Sequence, residues 1–152
     1  MSDEIRCVVA GSRGFLDQEV MNAALDGVFG NAVTRGDELT IISGGARGAD
    51  LMGEQYAKSR AMPLERYPAN WDLYGNSAGY RRNEQMARVA THLVAFWDGK
   101  SRGTKHMIDI AVEADLEVRV FDFDGICRYI HHAGCEWNEH STGECDSDKQ
   151  VH

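Results

Sequence analysis

A chain of 152 residues, 43% of them hydrophobic, has room for one domain with its own core, and no apolar stretch in it is long enough to span a bilayer. A formal net charge of −8 argues against broad nucleic-acid binding, which needs a basic surface to neutralise many phosphates. Residues 1–6 lack a signal-peptide pattern and Cys7 sits in an apolar run as a reduced core thiol, so the chain reads as cytoplasmic, with no membrane partner.

Taken in order, residues 5–10 read as a buried strand, and after a cap at Asp17 the four-apart series Leu16, Val20, Ala24 and Val28 predicts a helix. Residues 39–43 form a second strand. Residues 64–67 form a third, followed by a long connection through Trp71, Tyr74, Tyr80, Arg81, Arg82 and Asn83, the last three opening a helix. Residues 92–96 are the fourth strand; Thr104, Met107, Ile108, Ala111 and Val112 then form a helical stripe, and residues 118–121 are a fifth strand. Strands alternating with helices predict an α/β fold: a Rossmann-like, doubly wound parallel sheet of about five strands with right-handed crossovers and helices on both faces. The domain spans residues 1–124, with an acidic, Cys/His-containing C-terminal extension over 125–152.

The most informative run is residues 41–50, where an apolar strand ends in a glycine-rich turn that opens into a helix. Gly44, Gly45 and Gly48 let the backbone bend and expose main-chain N–H groups at the helix start, and Arg47 adds a cation, which together describe a phosphate turn. Ligands of parallel sheets lie at the carboxyl ends of the strands. The loops there begin with Gly11, Ser12 and Arg13 after the first strand and run through Asp98, Lys100, Ser101, Arg102, Gly103 and Thr104 after the fourth. They predict a cationic, donor-rich cleft, with Trp71, Tyr74 and Tyr80 placed to stack on a base or ribose. A dinucleotide dehydrogenase is disfavoured, because no single turn carries Gly-x-Gly-x-x-Gly.

The ordered motifs Ala10-Gly11-Ser12-Arg13-Gly14-Phe15, Ser43-Gly44-Gly45-Ala46-Arg47-Gly48-Ala49-Asp50, Pro68-Ala69-Asn70-Trp71, Ala78-Gly79-Tyr80-Arg81-Arg82-Asn83-Glu84-Gln85-Met86 and the run over 95–104 resemble the YspA-like, YpsA-related branch of the SLOG superfamily over residues 5–121. That superfamily also holds the Lonely Guy phosphoribohydrolases and the DNA-processing protein DprA. The resemblance implies a Rossmann-like sheet and a nucleotide or nucleotide-derived ligand. It puts Arg82 in the place of the phosphoribohydrolases' functional arginine and the run 98–104 in the place of their second glycine motif. The glutamates that follow that motif are missing here, since Lys105, His106 and Met107 come after Thr104.

The resulting expectation is a binding, sensing or sequestering protein. Gly44, Gly45 and Gly48 shape the phosphate turn; Arg47, Arg82 and Arg102 compensate charge; Ser12, Ser43, Asn83 and Thr104 donate or position. Asp50 or Asp98 contacts ribose hydroxyls or water, and Gly11, Arg13, Trp71 and Gly103 complete the site. The alternative is an N-glycosidic hydrolase of nucleoside 5'-monophosphates using Arg82 with Asp50 or Asp109 as a substitute acid. Neither needs a cofactor. SLOG relatives commonly pair through helices beside the cleft, which with Met86 and Val89 suggests a homodimer or higher homo-oligomer. In the extension, Cys127, His131 and Cys135 would share a helix face, with His140 or Cys145 completing a zinc tetrahedron; the absence of a Cys-x-x-Cys pair and the polar, acidic composition favour a loosely ordered tail or a subunit-contacting extension without metal.

Overall fold

The computed structural model describes residues 3–134. In chain order the elements are β1 (Glu4–Gly11), α1 (Gln18–Thr34), β2 (Glu38–Ser43), α2 (Ala49–Ser59), β3 (Leu64–Arg66), α3 (Trp71–Tyr74), a single 3-10 turn (Gly75–Ser77), α4 (Ala78–Val89), β4 (His92–Phe96), α5 (Arg102–Glu113), β5 (Glu117–Phe121) and β6 (Cys127–His131). The strands form one sheet in the order β3-β2-β1-β4-β5-β6, parallel except for β6, which runs antiparallel to β5. The chain builds outward from β1 in one direction and then from β4 in the other. Such a reversal leaves a crevice outside the carboxyl ends of β1 and β4.

Successive residues of β1 point to opposite faces and both faces are covered, which is why the strand reads as an unbroken apolar run. Cys7 and Val9 enter one core with Met21, Leu25 and Phe29 of α1 and Tyr56 of α2; Val8 and Ala10 enter a second core with Met86 of α4 and Met107 of α5. Burial pushes the Cys7 thiol far up, so it is an inert core group, as its apolar setting suggested.

Two expectations need correction. Asp17 does cap α1, accepting from Val20 N at 3.1 Å, but Leu16 precedes the helix and is 76% exposed. The buried row is Met21, Leu25, Phe29 and Ala32, with Val20, Ala24 and Val28 on its margin. A strict four-residue step drifts about 40° round a helix of 3.6 residues per turn, so it traces the flank of a broad apolar face.

The second concerns the extension. Its first residues close a hairpin: Asp122 N donates to Ile126 O at 2.9 Å, Asp122 Oδ1 accepts from Asp124 N and Ile126 N at 3.0 Å each, and Gly125 takes φ +86°. The boundary drawn after residue 124 therefore falls inside the β5–β6 turn. Cys127 and His131 lie on a strand, as suits the β-branched and aromatic Tyr129-Ile130 pair, so the helix face drawn through them does not form. His131 is buried and its Nε2 lies 3.1 Å from Asp115 Oδ1. No group of three or more His, Cys, Asp or Glu among the described residues could hold a metal ion; Cys135, His140 and Cys145 lie outside the described residues. No helix among the described residues is long and apolar enough to cross a membrane.

Candidate functional site

A cleft of about 510 Å³ opens at the crevice between β1 and β4, within the size range of small-molecule sites. Three helix starts (α2, α4 and α5) and the loop after β1 face it. Ser12 joins the two central loops. Its N–H donates to Phe96 O at 2.9 Å, and its Oγ accepts from Asp98 N at 3.3 Å. The glycine-rich turn after β2 packs onto this joint through Gly48, at φ +79° and ψ −125°: a Cβ there would lie 2.5 Å from Ser12 O and 2.6 Å from Arg13 O. Only glycine fits that close approach.

The turn expected to cradle phosphate is already filled by the protein's own groups. Gly45 N donates to Ser43 Oγ at 3.0 Å and Ala46 N to Asp50 Oδ2 at 3.3 Å. Asp50, in the first turn of α2, thus places the protein's own carboxylate on an N–H that the glycine-rich turn would otherwise offer to an anion. Arg82 reaches in from α4, with Nη1 donating to Gly44 O at 2.7 Å and Nε to Asn83 Oδ1 at 3.0 Å. A Cβ on Gly44 would collide with the Arg82 guanidinium, so this glycine makes room for an arginine. Ser43 is wholly buried and its hydroxyl donates to Glu54 Oε2 at 2.7 Å, while Glu54 Oε1 accepts from Arg66 Nε at 2.8 Å. Ser43 therefore supports the turn from below. Of residues 43–50, only Ala46 and Asp50 line the cleft; Gly44, Gly45, Arg47 and Gly48 do not.

Burial pushes the Asp50 carboxyl up to about 6, opposed by the Arg82 charge and by hydrogen bonds from the Ala46 and Gly11 backbone, and reinforced by Glu54. Burial likewise lowers Arg82, the Asp50 charge works the other way, and Arg13 adds a repulsive push downward; the guanidinium stays charged. Arg82 Nη2 has no hydrogen-bond partner among the described residues.

The start of α5 is different. Asp98 Oδ1 accepts from Ser101 N and Lys100 N at 2.8 Å each, which folds the loop and holds this carboxyl below its usual range. No side chain caps α5. Lys105 N donates to Ser101 O at 3.1 Å, and the N–H groups of Arg102, Gly103 and Thr104 have no partner among the described residues, as the geometry of a first turn requires. A Cβ on Gly103 would meet nothing within 4 Å. Ser101, Gly103 and Thr104 line the cleft, with the Ser101 and Thr104 hydroxyls 3.1 Å apart.

Asn83 ties the two sides together. Because Arg82 Nε can only donate, the Asn83 oxygen faces it, and Nδ2 then serves Gly103 O and His106 Nδ1, each at 3.2 Å. His106 was not singled out from the sequence; its spacing of three from Gly103, on one helix face, was the available signal. His106 does not itself line the cleft, whereas Asn76, Gly79, Met86 and Met107 do without having been expected there.

Several expected members stand elsewhere. Arg47, Lys100 and Arg102 are exposed but do not line the cleft, so its lining charges are Arg13 and Arg82 against Asp50 and Asp98, a balance rather than a cationic excess. Asp109 is turned away: its side chain is 52% exposed and pairs with Lys105 Nζ at 2.7 Å. Five residues beyond Thr104 place it about 140° round the helix. Tyr74 lies outside the cleft under the Arg81 guanidinium, 4.4 Å from its ring centroid. Met86 is spent on the protein's own core at 1% exposure, which removes it from any surface for a second copy.

A family profile described as YspA, cpYpsA-related SLOG family matches residues 5–74. The Gene 61 protein of Mycobacterium phage D29 is 31% identical over 120 residues, covering 74% of this chain and 93% of that protein. Among solved structures, DNA processing protein A (DprA) from Streptococcus pneumoniae aligns with a TM-score of 0.57 at 18% identity, covering 79% of this chain and 50% of DprA. The chain thus spans about half the length of that protein, and the likeness is one of fold.

Proposed function

We propose that this chain, which belongs to the YspA, cpYpsA-related SLOG family, binds a phosphate-bearing, nucleotide-derived ligand in the cleft at the ends of β1 and β4, in a sensing or sequestering role. The observation that carries this reading is the uncapped start of α5, where Ser101, Gly103 and Thr104 line the same cleft as Arg82. Backbone donors and the helix dipole favour an anion at such a place, and Arg82 Nη2 supplies further donors from the opposite side. Two arginines offset by two carboxylates suit a ligand of low charge better than a polyphosphate.

Calorimetry with AMP, GMP, CMP and UMP tests it. Arg82→Ala is expected to weaken the best ligand by roughly 1.5–3 kcal/mol, or about 10- to 150-fold, the worth of a charge-assisted contact. Unchanged affinity in a folded variant would remove Arg82 from the site.

One observation favours a second reading, N-glycosidic hydrolysis of nucleoside monophosphates: burial raises Asp50 toward neutrality, where a carboxyl can donate a proton. Against it, Asp50 is held by Ala46 N and by the Arg82 charge, and Asp109 is outside the cleft. We expect binding without rapid turnover. Free base released from these monophosphates, and lost in both Arg82→Ala and Asp50→Asn, would establish the hydrolase.

A further inference from the structure

The cleft has two chemically distinct ends. At one lie the α5 start and Arg82. At the other Trp71 and Tyr80 contribute aromatic surface, and both line the cavity while remaining 52% and 42% exposed. Aromatic faces open to a concave site offer a surface on which a planar ligand group can stack.

Each ring is held from behind. Tyr80 packs against His106 with ring centroids 4.5 Å apart, and His106 is in turn fixed by Asn83. Trp71 lies over Gly79, where a Cβ would sit 3.4 Å from Trp71 Cη2 and 3.7 Å from Arg82 Nη2. Gly79 thus lies between the indole and the guanidinium, within van der Waals reach of both, which joins the two ends of the cleft. Asn76 lines the same cavity, and its amide makes no hydrogen bond among the described residues. A planar apolar wall with one unspent amide beside it is what a heterocyclic base requires: surface for the ring face and a donor-acceptor group for its edge.

Resting on the phosphate-binding reading above, we propose that the Trp71–Tyr80 end of the cleft is a nucleobase subsite, so that the ligand lies with its phosphate at the α5 start and its base against Trp71 and Tyr80. A sugar phosphate without a base then fills only half of the site.

The test is calorimetry of the full chain with the four nucleoside monophosphates, adenosine and ribose 5-phosphate, repeated for Trp71→Ala and Tyr80→Ala. Both rings are exposed and outside the two cores, so the variants are expected to melt with the wild type. The best monophosphate should bind at least about 10-fold more tightly than ribose 5-phosphate, the lower range of what base stacking supplies. Either substitution should remove most of that preference and leave ribose 5-phosphate affinity within about 2-fold, since the phosphate end is untouched. Equal binding of ribose 5-phosphate and all four monophosphates overturns the subsite and leaves the phosphate reading standing. Adenosine binding as tightly as AMP, and lost in Trp71→Ala, supports the subsite and overturns the phosphate reading. No binding by any of the six overturns both.

Discussion

Of the three helix starts that face the cleft, those of α2 and α5 have opposite characters. At α2 the glycine-rich turn is closed: Asp50 accepts from Ala46 N and Ser43 Oγ from Gly45 N, Arg82 donates to the Gly44 carbonyl, and Gly48 is jammed against the first loop. At α5 the turn is open: its own aspartate folds the loop from outside, and three N–H groups stay unpaired. A strand-to-helix turn rich in glycine is thus no guide to where an anion sits. What matters is whether the protein has already supplied the anion.

The largest expected effect sharpens that contrast through two glycines. Gly48→Ala forces a Cβ to 2.5 Å from a backbone oxygen at a φ of +79°, so overpacking and backbone strain together should cost about 2–5 kcal/mol. Gly103→Ala meets open space and should melt within about 1 kcal/mol of the wild type, with the gain of a better helix former in its favour. Thermal or denaturant unfolding of the two variants decides. A mild Gly48→Ala would mean that the closed turn can open and offer its own N–H groups to an anion.

The next effect is in pH. Asp50 is raised from an ordinary carboxylate value of 3.8 to about 6 in the folded protein, so between those values the native state binds more protons than the unfolded chain. Stability contributed by this group is therefore present at low pH and is lost as pH rises from about 4 through 6, a change of roughly 2–3 kcal/mol. Other carboxylates run the opposite way; Asp26 and Glu65, held low by Arg60 and Arg6, gain stability over the acid range. The difference between wild type and Asp50→Asn isolates the buried group. Relative to the variant, the wild type should lose stability across that window and stay level above it. Parallel profiles would show that the carboxyl is not desolvated, and the closed turn would be closed by something other than Asp50.

The same contrast explains what the sequence could and could not reveal. Strands buried on both faces announce themselves as apolar runs, so β1, β2 and β4 were legible, and the parallel order then brought Ser12 and Asp98 into one crevice. Asp50 and Ser43 fill the turn after β2 from within the same run, but the arginine that completes the filling lies 38 residues away on another helix, where no local pattern marks it. Gly44 and Gly48 look alike in sequence with glycines that cradle phosphate, yet each is needed for a contact with a distant side chain or loop. β6 was hidden for a related reason: its inward-facing His131 is a polar residue whose burial depends on Asp115, 16 residues earlier. Asp98 is a milder case, since its short-range bonds to Lys100 and Ser101 follow from an aspartate opening a turn.

The smallest expected effect tests the outer face of α5 against its inner one. Thr104 and Asp109 share a helix, but Thr104 is buried at the cleft while Asp109 is solvent-exposed and bound to Lys105 one turn before it. An exposed pair at this spacing contributes about 0.3–0.5 kcal/mol, so Asp109→Asn should barely move the unfolding midpoint. It should also leave affinity for the best nucleoside monophosphate unchanged within calorimetric error, because no ligand held by the α5 N–H groups and Arg82 reaches a side chain about 140° round the helix. Thr104→Val, which keeps the shape and removes the hydroxyl beside Ser101 Oγ, should weaken the same ligand several-fold. If Asp109→Asn instead weakened binding tenfold while Thr104→Val did not, the ligand would lie on the outer face of α5, and the open helix start would lose its role.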